Sequence, residues 1–481
     1  MAQVIRAKVN AILIGVTGIG IYNQLNTFAS RATQFSQLRV NEALVKQIAE
    51  TKFHETKFHL IYSSIKAYIL IVSFLLLLSI SCLVIFRQSI SVYLLGDNHD
   101  YRYYFLAVAS IPILIINSLF FAILKGFRDI KNISKATLFA TFTNLAIFLP
   151  LAFKFRLDGV ILTIPTMYIV IAAWNYYFLR KHILRPHHIT ILKIFNSKIQ
   201  RYSLKEMFVF SGFGMSISVL ILGSEFFIRG LVVNDLGMDK LGLYVPIIAW
   251  TGLYTGIILN SFNTYLFPRL CETSEKDETN GILNDSIRIA TIMLIPFVLL
   301  LISFKKELIT IFYSNEFSET TLYLPLHFFG LIWHVWFIIF GQAMTPKGFI
   351  KQHGIFYGSS MIFDMLIVYI FISKLDIGLY GWMLKYVITP FILFNIYRTF
   401  LKKKIGFYLF AENKKLMIFL VLITAITILI DRFSGIDWLT YIIGPVFVLS
   451  SYLLLKENEK AFLWEKGSLL VRKVTNRKMR N

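Results

Sequence analysis

A chain of 481 residues with 56% hydrophobic and 16% aromatic residues, 45 phenylalanines and a mean hydropathy of +0.65 is too apolar for a string of soluble domains and reads as a polytopic membrane protein. The net charge of +22 would suggest nucleic acid in a soluble protein, but the basic residues sit in loops between apolar stretches and form no continuous patch. They are better read as setting membrane orientation and attracting anionic headgroups, so nucleic acid is not expected as a partner.

In chain order, stretches of about 20 apolar residues, the length a helix needs to span hydrocarbon, predict spans near 22–42, 66–86, 104–124, 134–154 and 159–179. A basic connector, residues 180–205, separates them from spans near 208–229, 242–266, 287–304, 322–344, 357–373 and 379–398. Two more, near 416–430 and 438–455, precede a basic tail, so thirteen spans are expected in an all-α fold. Alternate loops are strongly asymmetric in charge. The set comprising 46–66, 125–135, 180–205, 269–288, 347–351, 398–415 and the tail carries 34 Lys and Arg, against 9 in the other set. That places the first set, and the C-terminus, in the cytoplasm. The longest loop, about 26 residues, is too short to fold as a separate domain. Chemistry would have to take place among the helices, where no nucleophile–base pair, metal-ligand spacing or phosphate loop occurs. An enzyme is not expected, and neither is a cofactor. Cys82 and Cys271 form no framework.

The chain repeats itself. GVTGIGIYNQL from Gly15 returns as GMDKLGLYVPI from Gly237, an offset of 222 residues without a gap. At that offset Gly15 meets Gly237, Gly20 meets Gly242, Tyr22 meets Tyr244, Asn41 meets Asn263, and Glu50 meets Glu272. Further along, Lys125-Gly126 meets Lys347-Gly348, and Leu157 and Gly159 meet Leu379 and Gly381. Two homologous halves of this size are the usual plan of secondary transporters. The expected organisation is an N-terminal bundle (1–179), the connector (180–205), a C-terminal bundle (206–400), two extra helices (401–455) and the tail (456–481), with the bundles around a central cavity. Subtracting the offset from helix 208–229 puts its counterpart at about −14 to 7. The first half is therefore expected to lack its first span and to begin as a helical stub ending near Gly15.

Six basic residues belong to neither loop set: Arg6, Lys8, Arg31, Arg39, Arg229 and Lys385. A charge inside a span costs several kcal/mol if it faces lipid, so such groups normally face a cavity or a partner. On the first predicted helix Asn23, Thr27, Ser30, Arg31, Gln34, Gln37 and Asn41 recur at three- and four-residue steps as a polar stripe, with Leu25, Phe28, Ala29, Ala32 and Phe35 opposite. This is either a cationic cavity lining suited to an anion or a helix lying on the membrane surface. The candidate substrate residues are Arg31, Arg39, Gln34, Asn23, Ser30 and Arg229. Glu225, four residues before Arg229, is either a structural countercharge or a coupling switch, and Asp364, a lone acid in its span, is a second coupling candidate. Lys385 lies near enough to a helix start to snorkel. His327 and His334 share a face and read as packing.

KVNAILIGVTGIGIYNQL (8–25) followed by NEALVKQIAE (41–50) resembles the start of the Wzx-type polysaccharide flippases of the multidrug/oligosaccharidyl-lipid/polysaccharide (MOP) exporter superfamily. LGLY (241–244), FPRL (267–270), KGF (125–127) and the paired Gly159 and Gly381 fit the same pattern. The resemblance implies fourteen helices in two bundles plus a C-terminal pair, in the bacterial cytoplasmic (inner) membrane. Its implied activity is translocation of an undecaprenyl-diphosphate-linked oligosaccharide, such as an O-antigen or capsule repeat unit, by alternating access. Protons or sodium ions are candidate coupling ions. The partners are the lipid-linked oligosaccharide, membrane lipids and, as candidates, a polysaccharide polymerase and chain-length proteins. A cation-coupled multidrug exporter or a lipid II flippase of the same superfamily, or a non-transporting scaffold of a glycan assembly complex, are the alternatives.

The charge asymmetry is testable directly. Single cysteines at Lys131 and Lys193 should resist an impermeant maleimide in intact cells, whereas one at Asp235 should be labelled; the reverse pattern would invert the orientation.

Overall fold

The computed structural model describes residues 2–51, 58–96, 100–273, 275–433, 437–457 and 459–460. Among the side chains outside the described set are those of Asp97, the SGFGMS stretch (211–216), Asn263 and the tail beyond Lys460. The described chain is all helical. Its α-helices are α1 (Ala2–Gln37), α2 (Val40–Thr51), α3 (Phe58–Ile85), α4 (Arg87–Leu95), α5 (Tyr101–Gly126), α6 (Ile130–Leu179), α7 (Ile191–Asn196) and α8 (Arg201–Leu236). They continue with α9 (Met238–Glu272), α10 (Lys276–Ser303), α11 (Lys305–Phe312), α12 (Thr320–Met344), α13 (Ile350–Tyr369), α14 (Leu379–Ile405), α15 (Ala411–Phe433) and α16 (Asp437–Ser451). Nine helices among the described residues are long and apolar enough to cross a membrane, and Leu439–Leu454 is a shorter apolar one. The predicted segments fall on the sixteen α-helices, those near 208–229 and 242–266 on α8 and α9, which are not among the nine, and α6 carries two of them, joined at Arg156 (φ 46°). The exception is 22–42, whose end runs through a break at Leu38 and Arg39, both at positive φ.

Contacts divide the chain into two compact units. The first comprises residues 1–249, 309–320 and 354–385, and the second residues 250–308, 321–353 and 386–481. In the first, α2, α3 and α5 close over a core of Leu44, Ile48, Ile61, Ile65, Tyr68, Ile111 and Ile123. Gly126 lets α5 approach α2, since a Cβ there would stand 2.7 Å from Ile48. The outer face of α3 is leucine-rich, with Phe74 and Leu77 exposed, as a lipid-facing helix requires. In the second unit α10 is the central helix, burying Leu283, Ile287, Leu294 and Val298. Ion pairs tie the C-terminal segments to it at mid-helix and just past its end: Arg288 Nη2 donates to Glu459 Oε2 at 2.7 Å, and Lys305, just beyond Ser303, pairs with Asp431 of α15.

The repeat is realised as a contact between its own copies. α1 is broken at Gly15 (φ 64°, ψ −166°), leaving a helical segment of residues 2–14 before the break, and α8 ends at Gly237 (φ 92°, ψ 164°). The matched glycines thus take the same left-handed turn, which a side chain would strain. At about 1.5 Å per residue the segment before Gly15 is about 20 Å long. Past the turns, α1 and α9 cross glycine to glycine. A Cβ on Gly20 would stand 2.6 Å from the Met238 carbonyl oxygen, and one on Gly242 would stand 2.1 Å from that of Val16. Val16 and Met238 are themselves one offset apart, and so are Thr17 and Asp239, whose side chains hydrogen-bond. The crossing is a local pseudo-twofold axis. Gly159 and Gly381 also act alike, each closing a helical hairpin where a Cβ would meet Leu151 O or Phe371 Cβ. Gly126 and Gly348 do not: the first is a packing glycine, whereas the second supplies a φ of +82° with open space around it.

A Cβ at the crossing requires backbone movement, for which overpacking costs about 1–3 kcal/mol. Gly242→Val should lower the thermal midpoint of the purified protein, while Gly281→Ala, with nothing within 4 Å of its Cβ position, should leave it within error; equal effects would remove the crossing from the constraints on the fold.

Candidate functional site

Arg229 anchors the site. Glu225 and Arg229, one turn apart on α8, share a face, and Arg229 Nε donates to Glu225 Oε1 at 3.3 Å. Only 8% of the Arg229 side chain is exposed, so its remaining donors need partners within the protein. α1 supplies them: Arg229 Nη1 donates to Asn23 Oδ1 at 3.0 Å and to Gln24 Oε1 at 3.4 Å. Two turns along the same helix, Arg31 Nη2 lies 2.7 Å from the other oxygen, Glu225 Oε2, and Arg31 Nη1 donates to Gln34 Oε1 at 3.0 Å. One carboxylate serves two guanidiniums, and the cluster carries a net charge of +1. Arg31 keeps 39% of its side chain exposed and is the most accessible of the three.

This triad stands on the wall of a cavity of about 620 Å³ within the first unit, enclosed by α1, α3, α4 and α8. Apart from the triad, Gln24, Thr27 and Ser79, its lining is apolar: Phe28, Leu75, Leu78, Leu83, Leu94, Leu222 and Phe226 are among the walls, with Cys82 beside them. The cavity is amphipathic, a cationic corner opening onto a hydrocarbon slot. On α1 the lining residues are Gln24, Thr27, Phe28, Arg31, Ala32, Phe35 and Leu38. This face straddles the polar stripe and the apolar side that the sequence pattern kept apart, because the helix is rotated to seal Leu25 and Ala29 completely.

The structure brings together Asn23, Arg31, Gln34, Glu225 and Arg229. It does not bring Ser30, Arg39 or Asp364 to the cavity lining. Ser30 is half-buried. Arg39 lies one residue beyond Leu38 in the left-handed break, its guanidinium forked onto Glu42 at 2.7–3.1 Å. Asp364 is not a lone acid: its Oδ2 is 3.1 Å from Nζ of Lys385, which is 15% exposed and paired rather than snorkelling. Arg6 and Lys8 find neutral partners. Arg6 donates to Tyr22 Oη and Thr163 Oγ1 and lies over the Phe148 ring, and Lys8 donates to the carbonyls of Thr310 and Tyr313. His327 contacts Thr251 Oγ1 at 2.9 Å and packs on Tyr386, a packing role. The sequence reading missed Gln24 and the α3 wall. Gln24 is a glutamine in an apolar span with 1% exposure, a signal in hindsight, whereas α3 offers nothing but uniform hydropathy.

No protein-family model matches the sequence, and no curated protein matches it. Solved structures do. The fold superimposes on an inward-facing multidrug resistance MATE family transporter of the MOP superfamily with a TM-score of 0.69 at 14% identity, covering 84% of this chain and 95% of that one. It superimposes equally on the lipid II flippase MurJ in an inward closed conformation, TM-score 0.69 at 16% identity, covering 94% of this chain and 96% of that one. A Pyrococcus furiosus MOP superfamily transporter, whose reversed binding-pocket polarity is taken to suggest a different function, gives a TM-score of 0.57 at 14% identity over 83% of this chain and 92% of that one. The chain therefore has the fold of the MOP superfamily transporters.

Glu225→Gln leaves the buried Arg229 without a countercharge and should cost about 1.5–3 kcal/mol of stability. Arg31→Gln, at the exposed end, should cost less than about 1 kcal/mol. Thermal melts of the two purified variants should separate in that order; the opposite order would make Arg31 the anchor.

Proposed function

We propose that the protein is a multi-pass transporter of the cytoplasmic (inner) membrane that flips an undecaprenyl-diphosphate-linked oligosaccharide between leaflets by alternating access. The observation that carries this is the amphipathic cavity. Its only charged lining residues among those described are Arg31, Glu225 and Arg229, with a net charge of +1, and apart from Gln24, Thr27, Ser79 and Cys82 the rest of its wall is apolar. A diphosphate-linked polyprenyl glycan has the matching chemistry: about two negative charges, a long apolar tail and sugar hydroxyls that amides such as Gln24 and Gln34 can bind. Arginine holds phosphate oxygens two at a time. A pump for cationic drugs would gain from an acidic lining, and here the single acid is already shared by two arginines.

The lipid reading also agrees with coverage, since the lipid II flippase matches 94% of this chain and the MATE transporter 84%. Lipid II is itself a diphosphate-linked glycolipid, so its flipping is the second reading that the same cavity favours. In the cycle we envisage, the substrate diphosphate displaces Glu225 from Arg31, and Glu225 re-forms the pair on release. Glu225 and Asp364 are the candidate coupling groups. Arg39 would engage the head group only after leaving Glu42.

Replacing Arg31 by glutamate turns the corner from +1 to −1. Arg31→Glu should abolish surface glycan while the protein persists in the membrane, a loss beyond the ten- to hundredfold that one charged hydrogen bond of about 1.5–3 kcal/mol provides. Arg39→Glu should cost less. Full export by the Arg31→Glu, Arg39→Glu double variant would overturn the proposal, and rescue of lipid II flipping in its place would select the second reading.

A further inference from the structure

A second amphipathic cavity, of about 230 Å³, lies in the second unit between α12, α14 and α15. Its walls are set by helical spacing. On α14 Phe394 and Arg398 are one turn apart, and on α15 Lys414 is followed at helical steps by Met417, Ile418, Val421 and Leu422. α14 runs toward the face bearing Lys402, Lys403 and Lys404, and α15 runs back from it. Both cations therefore stand at the end of the groove near the basic face, while the apolar wall continues about 12 Å below Lys414 at 1.5 Å per residue. Trp333 of α12 closes the back, its ring 5.6 Å from that of Phe394.

Arg398 and Lys414 are the two cations that line this groove. Arg288, Lys305 and Lys456 in the same unit each hold a carboxylate. Arg398 and Lys414 form no ion pair among the described residues, although both line a cavity otherwise built of hydrocarbon and indole. Two unneutralised cations above an apolar slot are the complement of one phosphodiester above one acyl chain, and loop charge puts them at the leaflet where anionic lipids concentrate. We infer that this groove is a binding site for an anionic phospholipid, with the headgroup phosphate held between Arg398 and Lys414 and the upper acyl chain lying along Val421 and Leu422 against Trp333. The groove shares no lining residue with the cavity of the first unit and needs no assumption about a transported substrate.

Tryptophan fluorescence of the purified full-length protein in detergent, titrated with phosphatidylglycerol brominated on its acyl chains, reads this occupancy directly. Brominated phosphatidylglycerol should quench the component that Trp333→Phe removes, at a concentration about thirtyfold below that needed with brominated phosphatidylcholine, the preference expected of two cations near a membrane surface. Arg398→Gln with Lys414→Gln, both exposed positions, should abolish the preference, and Val421→Phe, which fills the slot, should abolish the quenching itself. Sodium phosphate at the same concentrations should not compete. Equal quenching by the two lipids, an unchanged preference in the double variant, competition by inorganic phosphate, or no quenching of Trp333 would each overturn the assignment.

Discussion

A guanidinium held almost out of solvent inside a membrane-spanning bundle must draw every countercharge and acceptor from the protein, and Arg229 imposes that requirement on the first unit. Water cannot relieve it and lipid will not. The response is a set of constraints on several helices at once. α8 must present Glu225 one turn away, and α1 must turn Asn23 and Gln24 toward the same point, after which Arg31 falls onto the free oxygen of Glu225. The cavity is what remains between α1, α3, α4 and α8 once these helices have satisfied that charge. A buried ion cluster of this kind is a weak source of net stability. Its value lies in geometry, because it ties α1 to α8 at one point and leaves one cation partly exposed beside an apolar slot.

The duplicated architecture and the chemistry part company at this point. The crossing of α1 and α9 obeys the repeat closely, with Gly20 against Met238 and Gly242 against Val16. The triad does not obey it at all. One offset away, Arg31 corresponds to Leu253, and Glu225 and Arg229 correspond to Gln3 and Ala7. Close backbone approach is a property of the shared fold, so both copies keep it; an ion cluster need occur only once, and it sits on one side of the axis. The same asymmetry recurs at the other polar pairs. Asp364 with Lys385 and Arg6 with Tyr22 and Thr163 solve the problem of a polar group in an apolar surround, each with different partners.

Much of this protein was legible in one dimension because its governing signals are local or periodic. Long apolar runs dictate spanning helices through the cost of unpaired backbone in lipid. Loop charge carries the expectation of sidedness. The 222-residue offset marks glycines whose positive φ or missing Cβ the backbone cannot do without, as at Gly15, Gly237, Gly159 and Gly381. Even the i, i+4 pair of Glu225 and Arg229 is written in the spacing. The six cations outside the loops were visible as an unsolved accounting of charge, which is why they led to the site.

What the sequence could not decide is where each of those cations finds its partner, and only the tertiary structure decides it. Arg31 with Glu225 spans 194 positions and Asp364 with Lys385 spans 21, and neither pairing follows from any period. Helix rotation and tilt are set by the packing of neighbours, here Leu25 and Ala29 sealing one side of α1. A rotation of a few tens of degrees moves Phe28, Ala32 and Phe35 from the apolar back of a stripe to the cavity wall. Arg39 shows the converse. It belongs to the stripe by spacing, but a left-handed break one residue earlier carries it away to Glu42. Sequence alone determines that charges in an apolar span must be answered; the fold determines which residues answer them, because the answer depends on distances between helices that no single helix encodes.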